Sequence, residues 1–182
     1  MKYELLIDDT ITFFGVQLFR VKALISFGKV KKGDVGGYVE SEKNLSQSGN
    51  AWVSGNAKVY GNAEVSGNAK VYGNAWVSGN AKVYGNAEVS GNAKVYGDAK
   101  VSGNAEVYGN ADYIVFKNNW SSGRYFTYTK SNKKWKVGCF YGNSEELVEK
   151  AYKDSKKSGD FYKAYVEFVE KLEAIENGHK EQ

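Results

Sequence analysis

The sequence predicts a mainly β protein built around a short parallel β-helix, and three observations carry that expectation. Residues 51–110 are ten consecutive six-residue units of the form Ala-x-Val-(Ser or Tyr)-Gly-(Asn or Asp), and an eleventh begins at Ala111. Ten of the 21 glycines fall at the fifth position of that unit, and proline is absent. One cysteine, Cys139, and one histidine, His179, exclude an internal disulfide framework and a His-rich metal site. The 182 residues disfavour one large single-core enzyme. A net charge of +4, from 25 basic and 21 acidic residues, is too mild to announce a nucleic-acid binder and excludes an acidic DNA mimic. No apolar run reaches membrane-spanning length and no signal-peptide pattern opens the chain, so the expected setting is the cytoplasm, with no membrane contact.

Each unit reads as a short strand and a corner. Ala and Val, two apart, face one way on an extended segment, while x and the Ser or Tyr face the other. Gly and Asn suit the corner because they most readily adopt positive φ. One unit cannot bury its own apolar face, so stacked units must share an interior. The companion of each valine is always alanine, which leaves a narrow, filled bore with no ligand cavity.

This spacing resembles the hexapeptide-repeat family. The resemblance implies a left-handed, three-sided coil of three hexads per turn. Eighteen residues per turn would give about 3.3 turns and a prism about 16 Å tall, with both ends in need of cover.

Residues 51–74 and 75–98 are identical except that Asn74 becomes Asp98, so a block of 24 residues has been duplicated. Four hexads on a three-hexad coil would put Trp52 and Trp76 on different faces, and the segment reads chiefly as a scaffold. Residues eighteen apart should stack, pairing Glu64 with Lys82, Lys70 with Glu88 and Lys94 with Asp112. Five lysines balance five acids over residues 51–112, which argues against phosphate tracking. Many hexapeptide-family members are acyltransferases, whose resemblance implies a histidine base beside the coil and a loop around the acyl donor. Here His179 falls in a polar tail and no loop interrupts the hexads, so no catalysis, catalytic residue, cofactor or metal is expected.

Residues 1–50 read as an N-terminal β cap. Strands are expected over residues 2–7, 11–19 and 19–26. The stretch from Gly28 to Val53, with two glycine pairings that include Gly36-Gly37, then reads as a tight-turn entry to the coil rather than a phosphate cradle, since no strand–loop–helix context follows. The run with Val30, Lys31, Gly33, Gly36, Gly37, Tyr38, Val39, Glu40, Leu45, Ser46, Gln47, Gly49 and Trp52 resembles the junction of hexapeptide-repeat proteins of the YdcK type, which bacteria and phages encode. That resemblance implies a fold and a phage or prophage setting.

Residues 113–182 read as a C-terminal α+β module, with 14 of the chain's 27 aromatic residues. Strands are expected over residues 113–117, 124–129 and 134–140, the last two joined by a turn. Asn143 or Ser144 should cap a helix running to about residue 157, broken by Ser158-Gly159-Asp160. A second helix over about residues 160–176 would carry Phe161, Tyr165, Phe168, Leu172 and Ile175 as a continuous seam, packed on the local sheet and first helix, with self-association as the alternative. Cys139, alternating with Trp135 and Val137, should be buried. The candidate binding residues are Arg124, Tyr125, Tyr128, Lys130, Lys133, Lys134, Trp135 and Lys136, cations interleaved with aromatics on one hairpin.

The expected function is that of a non-catalytic phage-type interaction protein. Its partner would be a host protein or protein–nucleic-acid complex in the host cytoplasm, its effect the inhibition of a defence system such as CRISPR, and its assembly a homo-oligomer. The alternatives are a degenerate acyltransferase and a nucleotide-binding sponge.

Overall fold

The structure, a computed structural model, describes residues 1–180; residues 181–182, the end of the polar tail, lie outside it. Its centre is a parallel β-solenoid of about four turns. Ten two-residue strands are numbered β4 to β13 in chain order. Face I holds β5 (Lys58–Val59), β8 (Trp76–Val77) and β11 (Lys94–Val95); face II holds β6 (Glu64–Val65), β9 (Lys82–Val83) and β12 (Lys100–Val101). Face III holds β4 (Trp52–Val53), β7 (Lys70–Val71), β10 (Glu88–Val89) and β13 (Glu106–Val107). Each residue pairs with the one eighteen further on, as Val53 with Val71 and Val59 with Val77, so three hexads make a turn. Every repeat valine and alanine from Ala51 to Val107 is at most 1% exposed, and together they fill the bore. Nine corner glycines, Gly55 to Gly103, have φ between +61° and +72°, a region where a Cβ is strained. At the corners, side-chain amides form ladders, one of them Asn50–Asn68–Asn86–Asn104.

Trp52 and Trp76 do fall on different faces, III and I. The Glu64–Lys82 and Lys70–Glu88 pairs form, at 3.0 and 2.6 Å. The Lys94–Asp112 pair does not. Gly109 is extended, at φ −143°, so the last corner never forms, and residues Asn110–Asp112 make a 3-10 turn whose Asp112 carboxylate accepts from the Tyr108 and Gly109 amides. The Lys94 ammonium instead lies over the Trp76 ring, 4.9 Å from its centroid.

The N-terminal segment continues face I. Strands β1 (Tyr3–Phe13) and β2 (Val16–Ala23) form a hairpin, and β3 (Val35–Val39) pairs antiparallel with β2 and parallel with β5. The three strands expected from sequence are thus two: residues 7–11 continue β1 past a register shift between Leu6 and Thr10, and Phe14-Gly15 is the turn. The Gly36-Gly37 pair is not a turn either. Both lie buried in β3, where a Cβ on Gly36 would come within 2.4 Å of the Val53 carbonyl oxygen, and one on Gly37 within 2.7 Å of that of Ala57. Absent side chains let β3 cross tightly beneath the first coil.

In a parallel ladder successive residues turn their amides and carbonyls alternately up and down the axis, so each end of the solenoid presents unpaired groups of both kinds. At the N-terminal end Glu40 Oε2 accepts from the Gly61 amide (2.6 Å), and donors meet the carbonyls. Lys2 Nζ donates to Ala51 O (2.9 Å), the Tyr38 amide to Ala57 O (2.9 Å) and Asn44 Nδ2 to Ala63 O (2.9 Å), one for each face. At the other end the Tyr113 hydroxyl donates to the Lys94 carbonyl oxygen (2.8 Å), and acceptors meet the amides. Asn110 Oδ1 accepts from the Lys94 amide (2.9 Å), Thr127 Oγ1 from Lys100 (2.9 Å) and Ser131 Oγ from Glu106 (2.8 Å).

Those last two acceptors belong to the C-terminal module. Its antiparallel sheet runs β14 (Tyr113–Lys117), β15 (Tyr125–Thr129), β16 (Lys134–Val137) and β17 (Phe140–Gly142) in order. One face of β15 meets the solenoid through Thr127. The other buries Phe126, Tyr128, Trp135 and Val137 against helices α1 (Ser144–Asp154) and α2 (Lys156–Lys180).

Four expectations for this module change. Residues 134–140 are two strands, because Gly138 turns the chain at φ +56°; the turn breaks the alternation and leaves Cys139 exposed rather than buried. The Asn143 cap forms as a capping box, but α1 ends at Asp154. The break lies at Ser155, whose hydroxyl accepts from the Ser158 amide, and α2 runs straight through Gly159. Finally, the buried face of α2 is Tyr162, Val166 and Val169; Phe168 and Ile175 of the expected seam are each 51% exposed.

Candidate interaction surface

The hairpin expected to bind a partner is largely consumed by the fold. Tyr128 and Trp135 lie inside the module, 4% and 0% exposed, with rings 4.8 Å apart. The Tyr128 hydroxyl donates to Glu173 of α2, and burial together with that carboxylate raises its pKa well above the usual phenol value. Trp135 Nε1 donates to Ser144 Oγ at 3.1 Å, and Lys130 pairs with Glu176. Lys136 lies over the Tyr84 ring of the solenoid, 5.9 Å from its centroid. Tyr125 bonds to Asp98, the one residue by which the duplicated blocks differ. Lys134 is half-buried in β16. Arg124 and Lys133 stay exposed, Arg124 beside Tyr125 and Asp98 in a shallow groove of about 250 Å³. The eight residues are therefore divided between the two faces of the sheet, because successive strand residues point opposite ways.

A denser constellation lies on face I, where the tip of the β1–β2 hairpin folds over the solenoid. Phe13 meets Trp76 edge-on at 5.2 Å and Tyr60 at 5.8 Å, with the Lys58 ammonium 5.0 Å from its ring centre. Partial burial holds the Lys58 pKa below the ordinary lysine value. Phe14 stacks on Trp76 at 5.3 Å with the rings 21° from parallel, and Lys94 covers another part of the same indole. Tyr96, 59% exposed, continues the surface past a cavity of about 290 Å³ lined by Tyr60, Trp76 and Lys94.

Phe14 is the residue that fold stability explains least. It is 75% exposed and sits at φ +48°, a left-handed conformation disfavoured for an L residue by about 1–2 kcal/mol. Phe13 already pins the hairpin to the solenoid, whereas Phe14 holds most of a ring in water on a strained backbone. The sequence did carry a signal for this site. Trp76 stands at an x position otherwise held by charged residues, apart from its copy Trp52, and Phe13-Phe14-Gly15 joins two apolar-patterned runs.

On face III, Trp52 packs edge-on against Phe27 at 5.4 Å, and a groove of about 570 Å³ runs past Trp52 and Tyr72 between Lys29 and Lys70. His179 is exposed in the last turn of α2, carried by the cap and not by the coil. Among the described residues no cluster of three or more His, Cys, Asp or Glu side chains is placed to hold a metal ion, and no helix is long and apolar enough to cross a membrane. No family model matches the chain, and a search of curated proteins finds no significant match.

Proposed function

We propose that this chain is a non-catalytic interaction protein that grips a macromolecular partner with the aromatic surface of face I. The observation that carries the reading is the strained, exposed Phe14 ring stacked on Trp76 and flanked by lysines. Rigid aromatic clusters with a charged rim are the kind of surface that concentrates binding energy, because a few fully desolvated rings supply most of it. The filled solenoid supports the reading by holding those rings on a stiff plate, which lowers the entropy lost on binding. Inhibition of a host defence system such as CRISPR is the finer role, and it rests on the phage-type resemblance of the junction. The groove on face III, with Lys29 and Lys70 beside Trp52 and Tyr72, favours a nucleotide as the second reading.

The test uses the full chain as bait in bacterial lysate, beside Phe14→Asn. Asparagine tolerates the left-handed backbone, so the variant keeps its fold while losing the ring. The expected result is a defined partner retained by the parent and lost by the variant at an unchanged melting temperature. Equal capture by both proteins refutes the reading. Turnover of acyl-CoA that disappears in His179→Ala would replace it with an enzyme, and a thermal shift with nucleotides that vanishes in Lys29→Glu would move the site to face III.

A further inference from the structure

Helix α2 carries two apolar stripes, although a helix packed on one side needs only one. The inner stripe, Tyr162, Val166 and Val169, is at most 5% exposed. The outer one is Phe161, Phe168, Leu172 and Ile175, joined by half-buried Tyr165, whose ring also stacks on Phe116 at the boundary of the core; the five are spaced four, three, four and three residues apart, which is the a/d repeat of a coiled-coil seam. Phe168, Leu172 and Ile175 are 51%, 41% and 51% exposed. Trp120, 68% exposed, stacks on Phe161 with the rings 10° from parallel and widens the stripe at its N-terminal end.

We propose that two copies of this chain associate through this seam, their α2 helices packed antiparallel about a two-fold axis at Phe168. The seam is self-complementary in that orientation. Phe161 of one copy meets Ile175 of the other, Tyr165 meets Leu172, and Phe168 meets its counterpart on the axis. The charges along the edge also decide the pairing. In an antiparallel pair the same edge of each stripe lies beside itself, reversed. The edge turned away from the sheet carries Glu167, paired within its helix to Lys163, and Lys171, at −1 and +3 from Phe168, so each Lys171 comes opposite the other copy's Glu167 with an offset of about 3 Å along the axis. Ala164 and Gly178 lie on that edge too, and their small size lets the helices approach. A parallel pair would instead set this edge against the inner one, where Tyr162 and Val169 already face the sheet. Because α2 lies on the side of the sheet away from the solenoid, the dimer would carry its two solenoids at its two ends, with both aromatic hairpins free.

Sedimentation velocity on the full chain over a concentration series tests the proposal. A 20.1 kDa protomer is expected to give a species of twice that mass as concentration rises. Phe168→Glu and Ile175→Glu, each at a half-exposed position, should leave the far-UV circular dichroism and melting temperature unchanged. Each should raise the dimer dissociation constant at least about tenfold. Lys171→Glu should weaken the dimer, and adding Glu167→Lys to it should restore the dimer. Phe14→Asn should leave the dimer intact, which separates this surface from the one on face I. A chain that stays monomeric up to about 0.5 mM, a trimer, or a dimer indifferent to Phe168→Glu would overturn the proposal.

Discussion

Gly159 sits inside α2, where glycine costs about 1 kcal/mol relative to alanine. A Cβ there would lie 2.1 Å from the Tyr152 ring, so the residue is kept for the close approach of α1 and α2. Gly159→Ala should therefore destabilise by about 1–3 kcal/mol despite its better helix propensity, whereas Gly178→Ala, with no neighbour within 4 Å, should stabilise slightly; urea midpoints of both variants check this. Lys2 is almost fully buried, and desolvation lowers its pKa from 10.5 to about 8. Between those values the unfolded chain binds more protons than the folded one, so stability should rise with pH from about 8 to 10.5. Tyr3 and Tyr128 act in the opposite sense. Burial, reinforced by Glu42 and Glu173 respectively, raises both phenols above 10.0, so the folded chain holds the extra protons there and stability should fall beyond about pH 10. Urea midpoints against pH should show that rise and fall, and Lys2→Met should lower stability throughout while removing the rise.

At the scale of the element, the solenoid strands differ only in where their ladders end. Thr127 Oγ1 is the acceptor for the free amide of β12, and Thr127 is 2% exposed. Thr127→Val keeps the shape and removes the acceptor, so it should cost about 1–3 kcal/mol, measured by chemical denaturation. Thr129→Val should cost less at the solenoid, because the Thr129 hydroxyl serves only Asn132 within its own hairpin. These acceptors could not be assigned from sequence, since nothing in Thr127 or Ser131 says which amide it will meet. The seam of α2 was legible as a pattern, but its partner was not. A helix with apolar residues on two adjacent arcs gives a period without saying which arc faces inward, and aromatic Tyr162 won the buried position over Phe161. Cys139 was misplaced for a related reason, since alternation holds only while the backbone stays extended, and Gly138 ends it.

For the whole molecule, two dissimilar ends close one solenoid, Lys2, Tyr38, Glu40 and Asn44 meeting its first turn and Asn110, Tyr113, Thr127 and Ser131 its last. Removal of residues 113–182 would expose the amides of β12 and β13 and the last rung of valines. The truncated chain is expected to associate edge to edge, which light scattering would register against a clear solution of the parent. The C-terminal module, expected to be a partner-binding head, is then first a lid, and its hairpin cations Lys130 and Lys136 are spent on α2 and the solenoid. The binding surface moves to the N-terminal hairpin, which the sequence presented as a cap.

The hexad repeat alone determined a stacked coil with a filled bore, because both follow from local periodicity; the three-sided coil, its eighteen-residue register and the two ion pairs read from that register came with the resemblance to the hexapeptide-repeat pattern. Tertiary structure decided everything that depends on a single non-repeating encounter. Phe13 and Phe14 reach Trp76 only because β1 runs on through residues 7–11, and Tyr128 is buried only because α2 packs over its face of the sheet. Periodicity averages over many equivalent contacts and survives in the sequence, whereas one contact between distant residues leaves no period to read.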